Sequence, residues 1–96
     1  MVGSGHHYAL QIDGDSMVNV GIQDGDTVII KKCDTAEDGA IVVALVDGEE
    51  VTLKRLKRER GMVHLIPEND KYEVRTFEAH RVQIQGRLVS LMRTYH

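Results

Sequence analysis

The apolar residues of this chain recur at every second position or in short unbroken runs, and nowhere with the 3.6-residue spacing of an amphipathic helix. YALQI (8–12), DTVIIKK (26–32), AIVVALV (40–46), EVTLKRL (50–56), MVHLI (62–66) and RVQIQGRLVSLMRTY (81–95) all read as strands. Each is rich in Val, Ile or Leu and is bounded by turn residues. Asp47-Gly48 between two of them is a strong hairpin signal, and Arg60-Gly61 a weaker one. Pro67 follows a strand, where its missing N–H does least harm. Many short strands in 96 residues predict one all-β domain. It should be a compact, mostly antiparallel sandwich or barrel with little or no helix.

The core must be aliphatic, because the chain holds three Tyr, one Phe and no Trp. A net charge of −3 argues against nucleic-acid binding by this segment as a whole. No run of eighteen apolar residues exists to span a membrane. A single cysteine, Cys33, excludes an internal disulfide and fits a reducing, cytoplasmic setting. The start, MVGSGHH (1–7), is small, polar and flexible, and reads as a linker remnant outside a domain of residues 8–96. No cofactor or metal is expected. His6-His7 lacks spaced partners, and neither Asp-Gly turn has the ligand order of a calcium loop.

Two turns echo each other. DGDSM (13–17) is followed eleven residues later by DGDTV (24–28). The second feeds a strand directly. The first places Ser16 at a corner, and the following SMVNVGIQ is neither a clean strand nor a helix. Met17 is expected to pack beneath this turn.

A second anomaly is the strand EEVTLKRLKRER, with five basic residues between Lys54 and Arg60. A solvated edge strand explains Arg55, Lys57 and Arg58. Lys54 fits less well, because apolar residues flank it on both faces: Leu56 shares its side with Thr52, and Val51 and Leu53 lie on the other. Burial there would favour its neutral form. A serine hydroxyl needs a base before it can attack. None of the five histidines (His6, His7, His64, His80 and His96) shares a motif with Ser and Asp. Neutral lysine can replace histidine, provided its pKa falls by roughly three units, about 4 kcal/mol.

With these residues in view, the chain resembles the LexA-type self-cleaving repressors. GDSM (14–17) is similar to the family's nucleophile motif, GIQDGDTVII (21–30) to the segment after it, and DGEEVTLKRL (47–56) to the strand of its catalytic lysine. LIPEN (65–69) and VQIQGRLVSLMR (82–93) resemble its later strands, so the likeness runs from Tyr8 to Tyr95. HYALQIDGDSM and the RTY ending look most like alphaproteobacterial members.

The resemblance implies a Ser-Lys peptidase domain with Ser16 as nucleophile and Lys54 as general base. The backbone N–H groups of Asp15 and Ser16 would form the oxyanion hole. In the family a DNA-binding winged helix-turn-helix and a scissile Ala-Gly bond precede this domain. Neither occurs here, and Gly39-Ala40 reverses the order. The implied partners are a second copy of the chain, a RecA nucleoprotein filament that stimulates cleavage, and operator DNA through the absent domain. The alternatives are a UmuD-like polymerase accessory protein, a signal-peptidase relative, and a non-enzymatic β interaction module.

The final strand is expected to carry the dimer contact. Strict alternation places Val82, Ile84, Gly86, Leu88, Ser90 and Met92 on one face. Gln83, Gln85, Arg87, Val89, Leu91 and Arg93 fall on the other. Apolar content rises toward the end, where a solvated edge would become more polar.

Overall fold

A computed structural model describes residues 6–93 of the chain. Residues 1–5 of the expected linker remnant, and the end of the last expected strand with His96, lie outside the described residues.

Seven strands form one antiparallel sheet. They are β1 (His7–Gln11), β2 (Thr27–Lys32), β3 (Ile41–Val46), β4 (Glu50–Glu59), β5 (Met62–Ile66), β6 (Arg75–Glu78) and β7 (Val82–Met92). Their order across the sheet is β1-β2-β7-β3-β4-β5-β6. Two short 3-10 turns, Val18–Val20 and Ala79–Arg81, are the only helical elements among the described residues. None is long and apolar enough to cross a membrane. β1 begins at His7, one residue ahead of the expected Tyr8.

Local chemistry accounts for the hairpins. Asp47 and Gly48 have φ of 53° and 70°, and Arg60 and Gly61 have 53° and 77°. Positive φ at both central residues matches the twist of the flanking strands, so both turns close tight hairpins. The second carries β4 on to Glu59, beyond the expected end at Leu56, through the pairs Arg58↔Val63 and Glu59↔Met62.

The apolar run of β3 is buried on both faces. Val42, Ala44 and Val46 join one core cluster with Leu56, Leu65 and Phe77. Val43 joins the other with Met17, Ile22, Val28, Ile30 and Leu53. A strand covered on both sides has no polar face to alternate with, which explains the unbroken apolar sequence.

Two expectations need correction. β6 was not anticipated, because RTFE holds one apolar residue and so carries no period-two signal. It forms by pairing with β5 and by burying Phe77, whose ring lies 5.0 Å from the guanidinium carbons of both Arg75 and Arg81. Strict alternation in β7 also fails. Val43 pairs with Gly86 but Ala44 with Ile84, which leaves Gln85 as an extra residue. Ile29 pairs with Ser90 but Ile30 with Leu88, which leaves Val89 as another. Each extra residue reverses the facing of the residues beyond it. Ile84 therefore packs in the first cluster and Leu88 against the second.

The site depends on a divergence between β4 and β5. β5 pairs with β4 only from Arg55 onward. After Ile66 the buried Pro67 ends the strand, and the edge of β4 from Glu50 to Lys54 stays open on that side.

Candidate functional site

Ser16 sits on a turn braced from two directions. Gly14, at φ of 105°, turns the chain where a side chain would be strained. The Gly14 N–H donates to Asp24 Oδ1 at 2.8 Å, so the two Asp-Gly turns are tied together. Backbone bonds from Ile12 N–H to Asp26 O and from Gly25 N–H to Ile12 O, both 2.8 Å, complete the tie. Met17 anchors the turn from beneath at 3% exposure, as expected. The 3-10 turn Val18–Val20 then leads to Gly21 at φ of 85°. The irregular SMVNVGIQ stretch is thus a braced corner rather than a frayed strand.

The second brace comes from the segment after Pro67. The Glu68 N–H donates to Ser16 O, and the Asn19 N–H to Glu68 O, each at 2.8 Å. The Asn69 side-chain amide donates to Asp15 O at 2.8 Å, and the Tyr72 hydroxyl to the Asp15 carboxylate. Among the described residues no acceptor uses the backbone N–H of Asp15 or of Ser16.

Lys54 reaches this corner from β4. Its Nζ lies 3.1 Å from Ser16 Oγ, 2.7 Å from Thr52 Oγ1 and 3.1 Å from Leu53 O. The side chain is half-buried, with Leu53 and Leu56 buried on either side of it in sequence. Burial first, and the Arg75 guanidinium second, hold the lysine pKa below its ordinary value, while Glu50 opposes them. A neutral amine has two N–H groups and one lone pair. In that form Leu53 O and Thr52 Oγ1 can accept its two N–H bonds, which would leave the lone pair for the Ser16 hydroxyl.

Two grooves meet at this pair. One, of about 250 Å³, has apolar walls from Leu10, Ile12, Met17, Val51 and Leu53. The other, of about 490 Å³, carries the charged and polar side chains Asp15, Glu50, Lys71, Tyr72 and Arg75 around Ser16 and Lys54. Among the described residues no histidine lines either groove. His64 bonds to Thr76 on the outer strands instead, at 2.8 Å. No group of three or more His, Cys, Asp or Glu gathers to hold a metal among the described residues.

Comparison with known proteins gives the same part of sequence space. Residues 1–89 match the Peptidase S24-like family. The chain belongs to that family. It is 61% identical over 95 residues to a LexA repressor of Paramagnetospirillum magneticum, covering 99% of this chain and 40% of that protein. It is 58% identical to a LexA repressor of Granulibacter bethesdensis, covering 99% of this chain and 39% of the relative. A LexA repressor of Acidiphilium cryptum is 59% identical, with 99% and 41% covered. These relatives are alphaproteobacterial, as the HYALQIDGDSM segment suggests. The chain thus spans about two fifths of the length of the repressors it matches.

In this S24-like domain the sequence pointed to Ser16, Lys54 and Met17 but passed over the bracing residues. Asn69 and Tyr72 stand in a loop with no periodic signal, and LIPEN drew notice only as a likeness to a later strand. Their part is visible only once the loop lies against the Ser16 turn. DGDTV is also more than a plain turn. Asp26 is 4% exposed and takes two bonds from Arg93, at 2.8 and 2.7 Å.

Proposed function

We propose that this chain is the self-cleavage domain of a LexA-like repressor, with Ser16 as nucleophile and Lys54 as general base. The observation that carries the proposal is the 3.1 Å separation of Lys54 Nζ and Ser16 Oγ, from residues 38 positions apart. Neutral Lys54 takes the Ser16 proton as Oγ bonds to the scissile carbonyl carbon. The carbonyl π electrons move to its oxygen, and the N–H groups of Asp15 and Ser16 receive that charge. Lys54 then passes the proton to the leaving nitrogen, the C–N bond breaks, and Ser16 is left acylated. Water, deprotonated by Lys54, releases the acid and restores Ser16.

In the whole repressor the substrate is a bond of the same protein, a RecA filament is the stimulus, and a separate DNA-binding domain meets the operator. The domain works in the cytoplasm as a homodimer. Pairing of β7 with β3 ends at Arg87, so among the described residues Leu88 to Met92 pair with β2 alone. That open edge, with Val89, Leu91 and Met92 exposed, is where a second copy would pair.

The test is cleavage in trans. This chain is mixed with a Paramagnetospirillum magneticum LexA repressor whose own serine has been replaced by alanine. Cleavage should quicken as pH rises from 7 to about 10, as lysine loses its proton. Ser16→Ala and Lys54→Ala should each lower it by ~10²–10⁴-fold or more while keeping the β-sheet circular-dichroism spectrum. Undiminished cleavage by Lys54→Ala, or a rate that levels near pH 7 as a histidine base would, refutes the assignment.

A further inference from the structure

The larger groove beside Ser16 holds an ion pair that the cleavage steps leave unused. Glu50 stands on β4 with Thr52 and Lys54 on one side of the strand. Arg75 of β6 grips its carboxylate with both terminal guanidinium nitrogens, Nη1 to Oε2 at 2.6 Å and Nη2 to Oε1 at 3.0 Å. Both residues line the groove with Ser16 and Lys54. Lys54 does not extend away from them. It folds back along β4 to Thr52, 2.7 Å from its hydroxyl, which brings the amine to within two positions of Glu50.

A free carboxylate so placed would favour the ammonium form and weaken the base. The other titratable groups facing this groove are Asp13 and Asp15 from the nucleophile turn, and Lys71, Tyr72 and Glu73 from the β5–β6 segment. The Asp15 carboxylate is already engaged by the Tyr72 hydroxyl. Glu50 is thus the carboxylate on the lysine's own strand, and Arg75 is what occupies it. Arg75 is held there from a second side, with its guanidinium carbon 5.0 Å from the Phe77 ring. Arginine suits the position better than lysine, because its planar fork meets both carboxylate oxygens at once. The forces on Lys54 agree with this geometry. After burial, Arg75 is the largest influence lowering its pKa, and Glu50 pulls the other way.

We propose that Arg75 is a positioning residue for the Ser16–Lys54 chemistry, locking Glu50 in a bidentate pair so that this carboxylate cannot engage the Lys54 amine. The proposal rests on Lys54 as the base, yet its test needs no cleavage. The chain is labelled with 13C-lysine, the Lys54 Cε resonance is assigned with Lys54→Arg, and its titration midpoint is followed by NMR. The midpoint should rise in Arg75→Gln, where Glu50 is released. It should fall in Glu50→Gln, where the guanidinium acts alone. Arg75→Lys, which keeps the charge but loses the fork, should return it part of the way.

An Arg75→Gln midpoint that stays put or falls overturns the proposal. Should loss of the Phe77 contact unfold that variant, Glu50→Gln decides, because the Glu50 side chain is 49% exposed. A Glu50→Gln midpoint that fails to fall overturns the proposal equally. If cleavage proves independent of Lys54 while the midpoints move as stated, the electrostatic role of Arg75 stands and the peptidase assignment falls. Lys54-dependent cleavage with unmoved midpoints removes the role of Arg75 alone.

Discussion

Replacing Gly86 by alanine tests the close approach of β7 to β2 directly. A Cβ at Gly86 would lie 2.3 Å from Ile30 Cγ2, 2.9 Å from the Lys31 carbonyl oxygen and 3.1 Å from the Tyr8 hydroxyl. Ile30 is fully buried, and the Lys31 oxygen belongs to backbone in the β2–β7 ladder, so neither can simply step aside. Overpacking of this kind costs ~1–3 kcal/mol, and contact with both a buried methyl and the main chain argues for the upper end. The alanine also reduces the freedom of the unfolded chain, which returns ~0.4–1 kcal/mol. The net loss should be about 2 kcal/mol. For a domain of this size that lowers Tm by ~8–16 °C, and with a urea m-value of ~1–1.5 kcal/mol/M it moves the midpoint down by ~1–2 M.

The assay is urea denaturation of wild type, Gly86→Ala, Ile30→Ala and the double variant. Ile30→Ala removes the methyl that the new Cβ would strike. The double variant should therefore cost less than the sum of the single ones by ~1 kcal/mol or more. Stability of Gly86→Ala within ~0.5 kcal/mol of wild type, or strict additivity in the double variant, would refute the close approach of β7 to β2 at this point.

Asp26 should govern part of the acid lability. Its pKa is held down to about 2, chiefly by the Arg93 hydrogen bonds and then by the Gln23 N–H. A carboxyl whose folded pKa is depressed stabilises the native state above its unfolded pKa, and that stability is lost as pH falls through the folded one. Stability should thus drop between about pH 4 and pH 2, and Asp26→Asn should flatten that limb in denaturation curves taken at each pH; an unchanged slope would place the acid lability elsewhere. The dimer is tested by sedimentation of this chain over a concentration series. Val89→Asp and Leu91→Asp should weaken it, and a monomer up to hundreds of micromolar, or a dimer that neither folded variant disturbs, would end the edge-pairing proposal.

The strands and their hairpins were legible in the sequence, because they rest on local chemistry. Short apolar runs bounded by turn residues mark β1, β2 and β5, and Asp47-Gly48 closes its hairpin by backbone preference alone. Lys54 was legible as an anomaly, an amine among apolar neighbours, and Ser16 as a hydroxyl at a corner. Tertiary structure decided everything that depends on distant partners. β6 exists because β5 offers it an edge and Phe77 a core, not because RTFE favours a strand. The facing of β7 turns on Gln85 and Val89, extra residues imposed by the registers of β3 and β2. No pattern within one strand announces such a shift. The meeting of Ser16 with Lys54 needs β5 to leave β4 beyond the Arg55↔Ile66 pair and the Glu68–Tyr72 segment to brace the vacated corner. Register, burial and the pairing of charges are properties of neighbours brought together by the fold, so Asn69, Tyr72, Glu50 and Arg75 take on meaning only there.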